Sequence, residues 1–147
     1  MEALSKRINS LPVSATLAMA AKARELKNQG IDIIGLSLGE PDFNTPEFIK
    51  QAAIQAVNDN WNSYSPVDGY ADLKEAICEK FKRDNKLSYQ PSQIVVSTGA
   101  KQSIANVCMV LLDPGDEVLL PAPYWVSYSA IATLAEAKSI IIPSSIE

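Results

Sequence analysis

The chain has 147 residues, of which 47% are hydrophobic and 20% are charged, and it contains no histidine. Its 13 Lys and Arg against 17 Asp and Glu give a net charge of −4, so the basic face that a nucleic-acid binder needs is missing. Without histidine this chain alone cannot build a Ser-His-Asp triad, a Cys-His pair or a metal site with histidine ligands. The length suits one domain, or a large part of one, with enough residues to bury a core.

The cysteines and the N-terminal region exclude further classes. Cys78 and Cys108 lack Cys-x-x-Cys spacing, so we expect two small buried hydrophobes in a reducing cytoplasm and no metal site. Lys6 and Arg7 precede a mixed segment rather than the apolar core of a signal peptide. Apolar runs such as residues 140–142 are far too short to span a membrane. We therefore expect a cytoplasmic chain with no nucleic-acid or membrane partner.

The first 45 residues are predicted to contain a helix, a strand and a turn. Apolar residues fall mostly on one helical face over residues 14–28, and Gly30 is placed to end that helix. β-branched residues predict a strand over residues 31–38. The strand leads into the sequence Gly-Glu-Pro-Asp-Phe at residues 39–43, where Gly and Pro stop any regular element.

Two helices separated by a loop are predicted next. Thr45 can cap a helix that has Pro46 at its first position. Residues 58–69 have the composition of a loop, and residues 70–83 show the apolar spacing of another amphipathic helix.

From residue 93 onward, strands alternate with helices. Strands are predicted at residues 93–97, 118–120 and 139–142, and helices at 99–111 and 124–135. This alternation is typical of right-handed β–α–β units, so we predict an α/β fold with a mostly parallel sheet flanked by helices.

One candidate binding site follows the strand predicted at residues 93–97. Ligands of open α/β sheets bind beyond the carboxyl ends of the strands. There, Gly99, Ala100 and Lys101 open a helix, whose free N–H groups and dipole, with the ammonium, can hold a phosphate. A tight turn with a solvated lysine explains the same residues at least as well.

A second candidate follows the next strand, where Trp125 can stack on a flat ligand ring. The alternative is a tryptophan that simply caps the core of the sheet. A phosphate cradle and an aromatic platform on the same sheet edge together predict a site for a flat, phosphorylated heteroaromatic ligand.

Two further positions are candidates on loops. Gly39 follows a predicted strand and allows close approach of the backbone to a ligand, or it belongs to a purely structural turn. Tyr64 can present its phenol to a ligand or a partner subunit, or it is an ordinary half-buried loop aromatic.

Six motifs in order carry a family resemblance. The sequence resembles the N-terminal part of the bacterial aspartate aminotransferases, which are class I pyridoxal-phosphate (PLP) aminotransferases of fold type I. The match runs from about residue 4 to the end, and the motifs are Pro12-Val13-Ser14-Ala15-Thr16, residues 37–43, Tyr64-Ser65-Pro66, residues 99–102, residues 112–118 and residues 123–128.

The resemblance implies a cofactor site built by PLP-binding residues of this chain. It assigns Gly99, Ala100 and Lys101 to the phosphate and Trp125 to the pyridine ring. Tyr64 corresponds to the tyrosine that reaches the cofactor phosphate of the neighbouring subunit, which implies a homodimer with shared active sites.

The resemblance also implies a substrate site. Gly39 corresponds to the residue whose backbone meets the substrate α-carboxylate. Ser14, Thr16 and Lys101 resemble positions near the substrate side chain, where a cation and hydroxyls suit an acidic amino acid and its 2-oxo acid. Aminotransferases for prephenate or aromatic amino acids share much of this pattern, so they remain an alternative.

In the family, the Schiff-base lysine and the acidic partner of the pyridine nitrogen come later in sequence than any residue of this chain. The resemblance therefore implies the start of the small domain over residues 1–45 and an incomplete large PLP-binding domain over residues 46–147. We expect amino transfer between L-aspartate and 2-oxoglutarate in a complete enzyme and none from this chain alone. A noncatalytic phosphate-ligand or interaction module on the same scaffold is the alternative.

Overall fold

The computed structural model describes residues 4–36, 39 and 41–145. The chain forms two compact units. The first comprises the described residues of Met1–Leu38 together with those of Thr98–Glu147, and the second is the described part of Gly39–Ser97.

The first unit contains four helices and two strands among its described residues. They are α1 (Lys6–Asn9), α2 (Ala15–Asn28), α5 (Ala100–Leu111), β1 (Glu117–Pro121), α6 (Ser127–Leu134) and β2 (Lys138–Ile142). In the second unit lie α3 (Glu47–Asn58), α4 (Ala71–Lys80), a π-helical turn at Phe81–Asn85 and a 3₁₀ turn at Pro91–Gln93.

Helix α2 confirms the prediction made for residues 14–28. Ser14 caps it, with Oγ accepting the N–H of Leu17 at 3.4 Å. At the other end Gly30 has φ of +80°, and its N–H donates to the carbonyl of Lys27 at 3.0 Å. A six-residue bond from Ile31 N–H to the Leu26 carbonyl completes a Schellman motif, which explains why glycine stands there.

The β–α–β unit formed by β1, α6 and β2 confirms two of the predicted strands. β1 and β2 pair in parallel, with Leu119 opposite Ile140. Helix α6 packs on both strands. The buried side chains of this unit are Leu120 on β1 and Ile131, Ala132 and Ala135 on and just after α6. A parallel pair joined by a helix is the arrangement that the alternating pattern predicts.

Two predicted strands are wrong. Residues 31–36 form no strand, and residues 37 and 38 lie outside the described part of the chain. Residues 94–97 also form no strand, because the N–H of Val96 donates instead to the carbonyl of Asp68, at 3.0 Å, and no strand described here lies beside it.

The second unit differs from prediction mainly at helix ends. Helix α3 begins one residue after Pro46, which occupies the cap position, so Thr45 is not the cap. Helix α4 continues into a π-helical turn that ends at Asn85, and the cap residue Lys86 has a left-handed φ of +60°. The helical segment therefore runs two residues past the predicted end at Arg83. Cys78 of α4, like Cys108 of α5, is only partly buried.

Within the described residues, no helix has the length and apolar character needed to cross a bilayer. Over the same residues, no group of three or more His, Cys, Asp or Glu is arranged to hold a metal ion.

Candidate functional site

The N-terminus of α5 forms the predicted turn. Gly99 is its cap, with φ of 82° and ψ of 165°, a conformation that L side chains rarely adopt. The Gly99 carbonyl accepts the N–H groups of Gln102 and Ser103 at 3.2 and 3.3 Å. No described residue accepts a hydrogen bond from the N–H of Ala100 or Lys101, so these donors are available at the positive end of the helix dipole.

Gln102 supports this turn, although no role was predicted for it from the sequence. Its Oε1 accepts the N–H of Thr98, which orients the residue before the cap. A glutamine at the third helical position is the usual place for a side chain that reaches back across a helix start. The position of Gln102, three residues after Gly99, is therefore the sequence feature from which this role could have been predicted.

Trp125 follows β1 at the carboxyl end of the strand. The link is held to β2 by a hydrogen bond from the N–H of Ala122 to the Ile142 carbonyl at 2.8 Å. The Trp125 carbonyl accepts the N–H of Tyr128 at 3.0 Å, at the start of α6. The residue is 43% exposed, so it is not fully buried in the core of the sheet.

The structure brings Lys101 and Trp125 together. The Lys101 Nζ lies 5.2 Å from the centroid of the Trp125 ring, within the range of a cation–π contact. The helix start and the aromatic side chain therefore form one cluster with a positive charge, free N–H donors and an accessible ring.

Ser14 and Thr16 lie at the start of α2, in the same unit. Ser14 lines a groove of about 710 Å³ with Tyr124 and residues of α6, and the groove also includes Ser139 at the start of β2. The Ser139 Oγ is buried and has no hydrogen-bond partner among the described residues. Among the hydrogen bonds of the described residues, neither Ser14 nor Thr16 is bonded to Lys101.

Tyr64 and Gly39 belong to the other unit. Tyr64 is fully exposed, so it is not the half-buried loop aromatic considered as an alternative. A Cβ added at Gly39 would meet nothing within 4 Å, so the backbone is open to an approaching group there. Three other residues of its motif, at positions 37, 38 and 40, lie outside the described residues.

The parallel β–α–β unit, with a helix start and an aromatic side chain beyond a strand end, is typical of α/β proteins that bind ligands at that edge. Residues 31–146 match the family model "Aminotransferase class I and II". The chain belongs to this family. The match confirms the resemblance and the fold class inferred from the motifs.

The similarity to curated proteins extends over nearly the whole chain. An aspartate/prephenate aminotransferase of Nitrosomonas europaea is 51% identical over 144 residues, which are 98% of this chain and 36% of that protein. An aspartate aminotransferase of Bacillus subtilis is 50% identical over 95% of this chain and 35% of its own length. The chain thus spans about a third of the length of these curated relatives.

Solved structures of aminotransferases are similar to this chain over nearly its whole length. The aspartate aminotransferase from Thermus thermophilus with maleate has a TM-score of 0.94 and 43% identity over 99% of this chain and 38% of its own. The enzyme from Rhizobium meliloti has a TM-score of 0.91 and 46% identity over 97% of this chain and 36% of its own.

Proposed function

We propose that this chain supplies the phosphate-binding and ring-stacking part of a PLP-dependent aminotransferase that acts on L-aspartate and 2-oxoglutarate. The observation that carries the proposal is the placement of Lys101, at the N-terminus of α5, against the exposed ring of Trp125. The names of the relatives support the aspartate assignment.

The residues present fit PLP. A phosphate needs N–H donors and positive charge, and the start of α5 offers the unpartnered N–H groups of Ala100 and Lys101. A pyridine ring needs a flat apolar surface, and Trp125 offers an accessible one. When bound, PLP supplies an electron sink that lets the α-proton and the amino group of an amino acid be moved.

Each of the site residues would bind or orient part of the cofactor or the substrate. Gly99 lets the backbone turn so that the N–H groups beside it point at the phosphate, and Lys101 adds charge. Ser14 and Thr16, with Lys101, receive the acidic side chain of the substrate. Gly39 meets the α-carboxylate through its backbone.

The assembly is also proposed. Tyr64 is fully exposed, which supports a contact with the cofactor phosphate of a neighbouring subunit in a homodimer. Residues 1–45 are assigned to the small domain and residues 46–147 to the large one. We propose a cytoplasmic location.

A second substrate assignment has its own support. The Nitrosomonas europaea relative is named an aspartate/prephenate aminotransferase. Prephenate is therefore the second candidate as amino acceptor. The cation and hydroxyls of the substrate site favour a dicarboxylate in either case.

The test uses pyridoxamine 5′-phosphate, because it has no aldehyde to react with surface lysines. Quenching of Trp125 fluorescence in a Trp61→Phe background reports binding. We expect affinity about tenfold or more above that of unphosphorylated pyridoxamine, because the helix start binds the phosphate. Lys101→Met should weaken binding by about fivefold, whereas Lys138→Met, an exposed lysine in the same unit, should not.

Two results would overturn the proposal: equal affinity for the phosphorylated and unphosphorylated ligands, or equal effects of the two lysine variants. With PLP and aspartate, we expect binding but no amino transfer from the 147-residue chain. Binding without turnover is also what a noncatalytic phosphate-ligand module would show. Amino transfer by a longer product of the same gene that includes the family's Schiff-base lysine would distinguish the two.

A further inference from the structure

The loop at residues 62–69 is closed at its base by an aromatic pair. The rings of Trp61 and Tyr70, which flank the loop, meet edge to face with centroids 5.3 Å apart. A surface loop with close ends that is held by its own side chains is a compact unit rather than a free tether. Tyr64 lies in this loop with its side chain fully exposed.

An ion pair fixes the end of the loop. The Nζ of Lys74, in the first turns of α4, donates to Oδ2 of Asp68. The Lys74 side chain is only 13% exposed, against 63% for Lys80 on the same helix. The hydrogen bond from Lys74 also holds the pKa of Asp68 below its ordinary value of 3.8. A shielded ammonium needs a partner, so this pair is more than a chance surface contact.

The backbone next to this pair is equally constrained. The carbonyl of Asp68 accepts the N–H of Val96 at 3.0 Å. Gly69 has φ of +103°, and a Cβ there would lie 2.5 Å from Cγ2 of Val96. Its N–H donates to the Pro66 carbonyl at 3.0 Å, which closes a turn just after Tyr64 and Ser65. These contacts hold the backbone at the C-terminal end of the loop in place.

We propose that Lys74 is a positioning residue that, through Asp68, fixes the base of the loop at residues 62–69 and so the direction in which Tyr64 is presented. The inference rests on the proposed function insofar as Tyr64 meets a ligand. Lys74 acts through its contact with Asp68 rather than by contacting a ligand. Its contribution is to restrict the conformations of the loop before a ligand arrives.

The experiment compares Lys74→Met with Lys74→Arg and with Lys80→Met in the 147-residue chain. Lys80 is the matched control because it also pairs with an aspartate, Asp84, from the same helix. The readouts are the NMR order parameter of the backbone N–H of Tyr64 and the rates of amide hydrogen exchange across residues 62–69. We expect Lys74→Met to lower the order parameter from about 0.85 to below about 0.6 and to speed exchange about threefold to tenfold.

Lys74→Arg should restore both values, and Lys80→Met should change neither. Asp68→Asn gives a second way to break the pair and should reproduce Lys74→Met. The inference is overturned by an unchanged Tyr64 order parameter in Lys74→Met and Asp68→Asn, or by failure of Lys74→Arg to restore it. The role of Tyr64 is tested separately, because Tyr64→Phe should weaken pyridoxamine 5′-phosphate binding while leaving loop exchange unchanged.

Discussion

The ammonium of Lys101 lies 5.2 Å from the centroid of the Trp125 ring. The two residues come from opposite sides of β1 in sequence, one at the start of α5 and the other just before α6. Their contact therefore depends on the packing of α5 against α6 and not on local sequence. This makes it a sensitive point at which to test the site.

A double-mutant cycle on this pair measures the contact directly. Lys101→Met and Trp125→Leu together should show a coupling of about 0.5–1 kcal/mol in the free energy of unfolding, the usual range for a partly exposed cation–π contact. Urea unfolding of the wild type, both single variants and the double variant supplies the four values. The same cycle with Lys138→Met in place of Lys101→Met should give no coupling, and a coupling there of equal size would contradict the assignment.

The backbone conformation of Gly99 predicts the effect of a single methyl group. Gly99→Ala should lower the free energy of unfolding by about 1–3 kcal/mol, because φ of +82° is strained for any L residue although the space around it is open. Gly35→Ala is the matched control, since Gly35 has equally open space and no positive φ. It should be neutral or slightly stabilising. Equal losses in the two variants, measured by urea unfolding, would rule out backbone strain as the cause.

Ser14 and Thr16 are expected to contribute differently to the stability of α2. Ser14→Ala should destabilise α2 by about 1 kcal/mol, because its hydroxyl accepts the N–H of Leu17 at 3.4 Å at the helix cap. Thr16→Ala should be neutral or stabilising, since alanine is the better helix former inside the first turn. Circular dichroism during urea unfolding checks both. A larger loss from Thr16→Ala than from Ser14→Ala would contradict the capping role.

Acid should loosen the end of α4. Hydrogen bonds from Arg83 and then Lys80 lower the pKa of Asp84 to about 2. Because this pKa is depressed on folding, the stabilisation is complete above the ordinary value of 3.8 and is lost as the pH falls through about 2. NMR titration of the Asp84 carboxyl carbon and of the amides at residues 81–85 should follow this range.

Two controls sharpen the acid experiment. Asp84→Asn should remove the low-pH change at residues 81–85, and added salt should weaken it because the pair is exposed. An Asp84 that titrates near 3.8 would show that the two hydrogen bonds do not form in solution.

Helices were predictable where the sequence itself contains their stop signals. Gly30 ends α2 because a left-handed residue is needed there, and this need is local. The turn at Gly99 was predictable for the same reason. The absence of a strand at residues 94–97 was not predictable, since a strand forms only where a neighbouring strand pairs with it. Val96 instead bonds to Asp68, which is 28 residues earlier in the chain.

The cluster of Lys101 and Trp125 could be inferred because the start of α5 and the segment before α6 were both expected at one edge of the sheet. No strand forms at residues 94–97, but α5 still packs on α6, which brings the two side chains together. The pair of Lys74 with Asp68 could not, because six residues apart is no helical or strand spacing, and only the loop turn at Gly69 brings the two together.

The β–α–β unit also has a consequence for the order in which the chain folds. Its buried residues Leu120, Ile131, Ala132 and Ala135 all lie within residues 117–142. Closing such a short segment costs little chain entropy, so this unit is expected to gain protection from solvent first and to serve as the surface on which α5 docks. The end bonds of the ladder, Lys138 N–H to the Asp116 carbonyl and Ala122 N–H to the Ile142 carbonyl, place the amides of Leu120 and Ile140 between the two strands. Pulse-labelled amide exchange during refolding should therefore show early protection at Leu120 and Ile140, ahead of the amides of α2.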